Sequence, residues 1–512
     1  MTTKRVTCDI PLNRVEGDLE IKVALEGGRV VDAWSSGTMF RGFERIMEGR
    51  GPLDGLVITP RICGICSLTH LYAAARALDQ IYGVAPPANA VRLRNLALMV
   101  ETVQSDVRQS LLMFLVDFAN PAHAGRSFYP DAVARYEPLR GARCLEAVRE
   151  TKQLLEIVAI IGGQWPHTSF MVPGGVVFSP ALPDLFKCRN RVVRFKRWYE
   201  ETVLGCSLER WQQVDGGEAL DRWLGEQPAH RAGDVGQLLR MGGEIGLDAL
   251  GQGPGRFLSV GSLPLPSGSA VSGWGAGPDL VPAGFVDGKT VHPFSQQMVS
   301  EHVAWSWYAD QPGGLHPFAS VTDPVASGAE GHKYSWVKAP RYFGLTVETG
   351  PLAEGVVAGH PLLTDLVRAN GPSALTRQLA RLIRPALMLP VMERWIDELI
   401  AEHSGKFYQP APLLKDGQGV GLIQAARGAL GHWVTIEKGR IARYQIITPT
   451  GWNGSPRDAN GVRGPWEEAL LGTPLEDPDN PVMAGHVIRS FDPCLVCAVH
   501  VVGSSRRIGL AM

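Results

Sequence analysis

Residues 61–82 read RICGICSLTHLYAAARALDQIY, in which a C-x-x-C pair runs directly into a helical pattern. Apolar residues recur every three or four positions from Leu68 to Tyr82, which is typical of an amphipathic helix, and Gly83 suits its C-terminal end. Cys66 should therefore lie at the N-terminus of this helix, where the helix dipole favours thiolate over thiol. The stretch predicts a metal or redox site built against the end of a helix.

A second cysteine pair lies near the other end of the chain, in DPCLVCAVH, residues 492–500. Each pair can place two thiolates on one ion from a single turn, so closing the site would tie the two ends of the chain together. Four soft thiolates suit zinc, an iron–sulfur cluster or another thiolate-bound transition metal.

A closed zinc site is the first alternative, because C-x-x-C pairs commonly bind zinc. The wide separation of the pairs argues against it, as do the charged neighbours Arg61 and Asp492. His70 and His500 follow the two pairs at a spacing that suits orienting a ligand or binding another ion. An iron–sulfur cluster is the second alternative. The other cysteines form no further pair, so redox work would need electrons exchanged with another chain; they are Cys8, Cys144, Cys188 and Cys206.

The chain has 512 residues and a formal net charge of -1, which gives no reason to expect nucleic acid or an anionic membrane surface as a partner. Neither a leader nor a long uncharged apolar run is visible. These features predict a cytoplasmic protein, with any association with the inner face of the membrane made through partners. A partner subunit could also carry an export signal for both chains.

The remaining patterns predict a mainly helical α+β fold. Helices are expected at about 92–118, 143–162, 186–204 and 372–403, the last kinked or divided by its two prolines. Hairpins are expected at Leu19–Ser35 and 433–448, each around a glycine turn. Residues 262–288, rich in Gly, Pro and Ser, predict a long surface loop. We expect one large domain, residues 1–500, with its terminal segments meeting at the metal.

The two cysteine motifs together resemble those of nickel–iron hydrogenase large subunits. That family carries R-x-C-G-x-C-x-x-x-H early and D-P-C-x-x-C-x-x-H at its end, and this sequence meets both patterns in full. The resemblance implies the family's fold, predominantly helical with small peripheral antiparallel sheets. Further segments that fit the family are Arg14–Gly17, Arg41–Glu44, Pro166-His167 with Pro173–Gly175, Lys333–Arg341, Ala426–Trp433 and Pro449–Asn453.

By this resemblance, the four cysteines hold a Ni–Fe(CO)(CN)2 centre. Cys63 and Cys494 would be terminal nickel ligands, and Cys66 and Cys497 would bridge nickel and iron. His70 would help to hold the centre. Maturation proteins would make and insert the CO and cyanide ligands. H2 would be split heterolytically between the metals, giving a proton to a nearby base.

Two bases compete for that proton. The family favours a terminal cysteine, here Cys494. Glu16 matches the family's proton-relay glutamate in its R-x-E-G motif, and its alternative is an exposed hairpin charge.

Three polar residues would surround the centre. Arg427 would hang over the metals and hydrogen-bond one cyanide, where a guanidinium is a credible electrostatic partner. Thr450 would donate to the other cyanide. For both residues the alternative is a place in an ordinary turn. Asp492 would pair with Arg427 or with Arg61.

Two segments depart from the family's usual pattern. Ala426 stands where a Pro often precedes the arginine above the metals. The usual H-D-H-x-x-H-F-Y is replaced by QSDVRQSLLMF, residues 104–114, in which Asp106 is the candidate carboxylate above the metals. This replacement resembles the branch of soluble uptake hydrogenases and hydrogen sensors.

A buried Mg2+ is also implied by the resemblance. Glu44, the backbone carbonyl near Ile446 and His500 correspond to its ligands in the family. Three protein ligands plus waters are normal for magnesium, although His is an unusual one. Ile446 is placed only by its distance from the C-terminal motif.

The segment Val501–Met512 resembles the short extension that a dedicated endopeptidase removes after the motif histidine; a frayed terminus is the alternative. The resemblance implies an uptake hydrogenase that oxidises H2 to protons and electrons. Its partner would be a small subunit carrying all the Fe–S clusters, in a higher oligomer of heterodimers.

Three other classes of protein compete with the uptake enzyme. A hydrogen-sensing regulatory subunit is the main alternative, although sensors usually lack the tail. A related subunit of the respiratory NADH–quinone oxidoreductase would have lost the metal cysteines. A zinc-stabilised scaffold is the last.

Overall fold

The computed structural model of the chain describes residues 6–327, 331–411 and 416–498. Two features predicted from the sequence, His500 and the extension Val501–Met512, lie outside these residues, so the domain boundary at 500 stays a prediction. No helix in the described ranges is both long and apolar enough to cross a membrane.

Helices are the main regular secondary structure of the described residues, as predicted. The helices are α1 Phe43–Met47, α2 Gly55–Ile58, α3 Ser67–Tyr82, α4 Ala88–Arg108, α5 Tyr129–Tyr136, α6 Ala142–Gly162, α7 Leu182–Trp198, α8 Leu208–Trp211, α9 Gly217–Glu226, α10 Pro228–Ala232, α11 Asp234–Glu244, α12 Pro351–Val357, α13 Pro361–Asn370, α14 Ala374–Ala401, α15 Pro449–Asn453, α16 Pro465–Ala469, α17 Val482–Ser490 and α18 Leu495–Ala498. The long helices α3, α4, α6, α7 and α14 contribute to the largest buried apolar core.

The strands form small antiparallel sheets, which confirms the predicted fold class. They are β1 Val6–Pro11, β2 Leu19–Glu26, β3 Arg29–Gly37, β4 Met171–Val172, β5 Gly175–Val176, β6 Arg256–Pro264, β7 Asp279–Asp287, β8 Thr290–His292, β9 Val299–His302, β10 Ala339–Tyr342, β11 Gly417–Ala425, β12 Gly428–Glu437 and β13 Arg440–Ile447. Three-stranded sheets have the orders β1-β2-β3, β6-β7-β8 and β11-β12-β13, and the pairs β4-β5 and β9-β10 complete the set in the described ranges.

Helix α3 begins and ends where its sequence pattern predicted. Gly83 terminates it in the left-handed conformation, with φ of 62°. At its N-terminus the Cys66 side chain makes no capping hydrogen bond. The carboxylate of Glu101 on α4 accepts hydrogen bonds from the first turn instead. The backbone N–H groups of Leu68 and Thr69 donate to Glu101 over 2.9 and 3.0 Å. This buried contact ties the start of α3 to the core behind it.

Helix α14, predicted to be kinked or divided by its two prolines, runs as one helix through Pro385 and Pro390, so it is not divided. Another local prediction was wrong. Residues 262–288 are not a continuous loop, because they contain the end of β6 and all of β7, paired in register with Val260 opposite Ala283. The strand forms because its apolar side chains are buried, Leu280 among them. The Gly- and Pro-rich pattern instead marks the connection 265–278. Both predicted glycine hairpins, β2-β3 and β12-β13, are confirmed.

The N-terminal sheet packs against the C-terminal helices in a second apolar cluster. Glu16, just before β2, pairs with Cys494 in a parallel bridge. The backbone N–H of Leu495 donates to the Glu16 carbonyl over 2.6 Å, and the N–H of Glu16 donates to Pro493 over 3.3 Å. Both ends of the described chain therefore meet beside the second cysteine motif.

Glu467 follows Trp466 of this cluster and is buried. Its carboxyl predicts that the stability of the protein depends on pH. Burial raises its pKa from its ordinary value of 4.5 to about 7. Between these values the folded chain holds a proton that the unfolded chain has released, so stability falls as pH rises through this window. We expect Glu467→Gln to remove a pH-dependent loss on the order of 2–3 kcal/mol between pH 4.5 and 7.

The measurement is the melting temperature of both proteins across that pH range. Glu468→Gln is the matched control, because this neighbouring carboxylate is partly exposed in the fold. Equal slopes for the wild type and Glu467→Gln would contradict the prediction.

Candidate active site

Four cysteine side chains converge in the interior of the protein. Cys63 and Cys494 lie 3.5 Å apart between sulfur atoms, Cys66 and Cys497 lie 3.1 Å apart, and Cys494 and Cys497 lie 3.1 Å apart. All four sulfurs lie within 4.8 Å of one another, all four residues are buried, and none forms a disulfide. This cluster joins the two predicted motifs into one site.

The local backbone explains the convergence. Cys63 and Cys66 flank a turn that leads directly into α3. Cys494 immediately precedes the short helix α18, and Cys497 lies within it. The Glu16 backbone holds the Cys494 segment from one side, and the Thr450 hydroxyl accepts the Cys494 N–H over 3.0 Å. The second pair is therefore anchored by contacts that do not depend on the sulfur atoms.

The electrostatics of the four sulfurs favour a bound cation. Contact with Cys494 lowers the pKa of the Cys63 thiol well below its usual range, whereas contact with Cys494 raises the pKa of Cys66, and burial raises that of Cys497, well above it. Four thiolates cannot share a buried site without compensating positive charge. A thiolate-bound metal supplies that charge, and metal binding deprotonates such thiols. The donor set therefore fits a metal centre.

Arg427 lies beside this cluster in a buried position. Its Nε is 3.1 Å from Asp492 Oδ1, so Asp492 pairs with Arg427. The other predicted partner, Arg61, is exposed and donates to the Val57 carbonyl. Nε and Nη1 of Arg427 are buried and make no hydrogen bond of good geometry to the described protein atoms. Buried guanidinium donors of this kind indicate a missing acceptor, which fits an anionic ligand on a metal.

Thr450, at the start of α15, contacts the second cysteine motif. Its oxygen accepts the Cys494 N–H, so its own hydrogen is not used in that bond and can be donated elsewhere. The residue is buried within α15, so it does not have the place in an ordinary turn that was the alternative.

Glu16 is half-buried at the edge of the cluster. Burial raises the pKa of its carboxyl, the negative charge of Cys63 raises it further, and Arg427 opposes the shift. The residue lies in the connection between β1 and β2, but it is half-buried against the Cys494 segment, so it is not an exposed hairpin charge. A carboxyl with a raised pKa beside a thiolate site is suited to exchanging a proton.

His70 belongs to a buried hydrogen-bonded row behind the cluster. Its Nδ1 lies 3.1 Å from His432 Nε2, and His432 Nδ1 lies 2.9 Å from the Tyr444 hydroxyl. The row links α3 to the sheet that contains β12 and β13. His70 therefore fixes the helix that carries Cys66.

Glu44 and Ile446, two of the predicted magnesium residues, lie in a separate polar group, while His500 is outside the described residues. The Ile446 N–H donates to Glu44 over 2.9 Å, and Lys338 Nζ donates to the same carboxylate over 3.1 Å. Glu301 lies beside them, with one buried oxygen that has no hydrogen-bond partner in the described chain, and burial raises its pKa to about 7. A cavity of about 20 Å3 lies between these residues and is also lined by Ala498. The carboxylate oxygens of Glu44 and Glu301 are of the type that a small hard cation prefers, and Lys338 supplies positive charge beside them.

Asp106 is connected to the Arg427 segment only through Arg384. It receives two hydrogen bonds from Arg384, of 2.6 and 2.8 Å, and burial raises its pKa to about 6. Arg384 in turn donates to the carbonyl of Ala426, the residue before Arg427. The carboxylate that pairs directly with Arg427 is Asp492.

Several residues around the site were missed from the sequence. A detectable signal existed for some of them, because arginines spaced by four and three positions along a largely apolar helix suggest one buried polar face. No local pattern marked the two glutamates, since their partners lie far away in the chain. The missed residues are Glu101, Glu301, Arg377, Arg381 and Arg384.

Known proteins match both the sequence and the fold. A sequence model of the nickel-dependent hydrogenase family matches residues 41–127 and 244–500. The periplasmic [NiFeSe] hydrogenase large subunit of Desulfomicrobium baculatum is 31% identical, over 96% of this chain and 94% of that protein. The uptake hydrogenase large subunit of Rhodobacter capsulatus is 29% identical, over 98% and 96%. The reduced Ni-Fe-Se hydrogenase of D. vulgaris Hildenborough superposes with a TM-score of 0.81 at 30% identity, covering 97% of this chain and 100% of that one.

The chain therefore belongs to the nickel-dependent hydrogenase family. Within that family it is the catalytic large subunit, part of an enzyme that acts on hydrogen and is completed by a small subunit. Several relatives are named as nickel–iron–selenium hydrogenases. In this chain all four predicted metal-binding positions are cysteine.

Proposed function

We propose that this subunit works in H2 oxidation, with the reaction H2 = 2 H+ + 2 e-, and belongs to the soluble uptake branch of the family. The observation that carries the proposal is the buried four-thiol cluster beneath the Arg427–Asp492 pair, with Glu16 at its edge. Relatives named uptake hydrogenases cover nearly the whole chain, which supports the direction.

The four cysteines would hold a Ni–Fe(CO)(CN)2 centre, with Cys63 and Cys494 as terminal nickel ligands and Cys66 and Cys497 as bridging ligands. When bound, this centre supplies the place at which H2 is polarised and split. The protein supplies the thiolates, fixes them through α3 and α18, and keeps the surroundings buried.

The side chains above the cluster would perform three tasks. Arg427 would donate to one cyanide through its unpartnered Nη1, with the ion pair between its Nε and Asp492 holding the guanidinium in place. Thr450 would donate to the other cyanide with the hydrogen that its bond from Cys494 leaves available. Glu16 would accept the proton released from H2, or receive it from the Cys494 sulfur, and pass it outward. Its partly exposed position suits that transfer.

Mg2+ would occupy the cavity beside Glu44, with the Ile446 carbonyl and His500 completing the set of protein ligands. The unpartnered oxygen of Glu301 supports this, because it would accept a hydrogen bond from a magnesium-bound water. Cleavage after His500 by an endopeptidase would remove Val501–Met512 and complete the mature subunit.

Electrons would leave through Fe–S clusters on the small subunit. Within the described ranges, the four-cysteine group is the one cluster of potential metal-binding side chains that includes thiols. A chain with one such site needs a partner to carry electrons away.

The decisive test is infrared spectroscopy of the natively purified complex, combined with H2 turnover and intact mass. We expect one carbonyl band and two cyanide bands, rapid H2 oxidation with an artificial electron acceptor, and a large subunit that ends at His500. The three bands with very slow turnover would instead support a hydrogen sensor. A correctly processed protein with zinc and none of the bands would overturn the proposal.

A further inference from the structure

Arg384 makes an unusually complete set of hydrogen bonds inside the protein. Its Nε and Nη2 donate to the two oxygens of Asp106 over 2.8 and 2.6 Å, and its Nη1 donates to both oxygens of Glu354 over 2.8 and 2.9 Å. Its Nη2 also donates to the Ala426 carbonyl over 2.7 Å. These five contacts connect Arg384 to three elements, namely α4, α12 and the connection between β11 and β12.

That connection consists of Ala426 and Arg427 alone, between Ala425 at the end of β11 and Gly428 at the start of β12. Gly428 adopts φ of 122°, and a Cβ there would lie 2.5 Å from the Thr349 hydroxyl. The turn is therefore pressed closely against the Thr349 region and has little freedom of its own. The bond from Arg384 fixes the peptide that leads into Arg427.

We propose that Arg384 is a positioning residue that sets the direction of the Arg427 guanidinium over the four thiolates, with Asp106 and Glu354 acting only to hold Arg384. The inference rests on the proposed role of Arg427 toward a ligand of the metal centre. It assigns Asp106 an indirect function, through Arg384 and the Ala426 carbonyl, in place of direct contact with Arg427.

This role requires the planar arrangement of the arginine donors as well as the positive charge. Lysine would keep the positive charge but present three donors from a single nitrogen, which cannot reach two carboxylates and a carbonyl in the same planar arrangement. Arg384→Lys should therefore preserve the local charge and release the Ala426 carbonyl. Arg427 would then shift relative to the cyanide that it contacts.

The test is the infrared spectrum of the Arg384→Lys holoenzyme complex. We expect a shift of the cyanide bands, because they respond to the hydrogen bond from Arg427, and a turnover ~10- to 100-fold lower, as is typical when a partner of a metal ligand is lost. Nickel content should stay at the wild-type level, since all four cysteines remain.

Arg92→Lys is the matched control. Arg92 is a fully buried arginine that pairs with Glu398, so it also joins α4 to α14. It lies 14 residues from Asp106 on the same helix, which corresponds to about 21 Å. The control should show wild-type band positions even if it melts at a lower temperature.

Asp106→Asn serves as a second variant where Arg384→Lys does not fold. It should shift the same cyanide bands in the same direction, because it loosens Arg384 and leaves Arg427 and Asp492 intact. Wild-type band positions in the variant that folds would overturn the inference. A wild-type protein without any such bands would instead refute the proposed function, so the two failures are distinguishable.

Discussion

Cys494→Ser is expected to yield a folded protein that contains little nickel and oxidises H2 more than ~100-fold more slowly than the wild type. Loss of an outer partner of a metal ligand already costs 10- to 100-fold, and a direct ligand should cost more. The Cys494 sulfur lies 3.5 Å from Cys63 and 3.1 Å from Cys497, so it is central to the cluster. Serine offers a harder oxygen with a far higher pKa, which a thiolate-preferring metal binds poorly.

The measurement is nickel per subunit by elemental analysis, together with turnover and melting temperature. Cys188→Ser is the control, because Cys188 is equally buried but lies in the helical core on α7, where burial raises its pKa to about 12. It should lower stability and leave nickel and specific activity unchanged. Full nickel and activity in Cys494→Ser would show that the four-thiol cluster is not the catalytic centre.

The helices and hairpins could be predicted from the sequence where local pattern and burial agree. Helix α3 is such a case, because its apolar spacing and Gly83 both mark its ends. For α14 the sequence left open whether Pro385 and Pro390 kink or divide the helix, and the structure shows one helix despite two missing donors. The Gly- and Pro-rich composition of residues 262–288 predicted a loop where β7 lies. The pairing of β7 with β6 depends on contacts beyond its own segment.

The candidate site also has a part that the sequence predicts and a part that it does not. Its cysteines stand in two short motifs, so spacing was enough to find them and the structure only had to bring them together. Supporting charges such as Glu101 and Arg384 contact partners on other elements, and their function is defined by those partners. Asp106 illustrates the limit, because the sequence placed a carboxylate near the metals and could not indicate that Arg384 stands between it and Arg427.

Glu16→Gln is expected to slow H2 oxidation by ~100- to 10,000-fold, the usual range for removing a positioned general base, with nickel and infrared bands retained. The backbone of Glu16 is hydrogen-bonded to Pro493 and Leu495, on either side of Cys494. The substitution should therefore leave the backbone at residue 16 in the same position. Glutamine keeps the size of the side chain but cannot take up a proton, and the raised pKa of Glu16 is lost with it.

The sharpest measurement is exchange between D2 gas and solvent protons, which needs proton transfer but no electron acceptor. Glu20→Gln is the control, because Glu20 is an exposed carboxylate only four residues away on β2, and it should exchange at the wild-type rate. Glu16→Asp should recover part of the exchange, since it restores a carboxylate on a shorter side chain. If Glu16→Gln exchanged as fast as the wild type, protons would have to leave the Cys494 sulfur by a route that avoids Glu16. The raised pKa of its carboxyl would then reflect only the burial of a residue that helps to hold Cys494 in place.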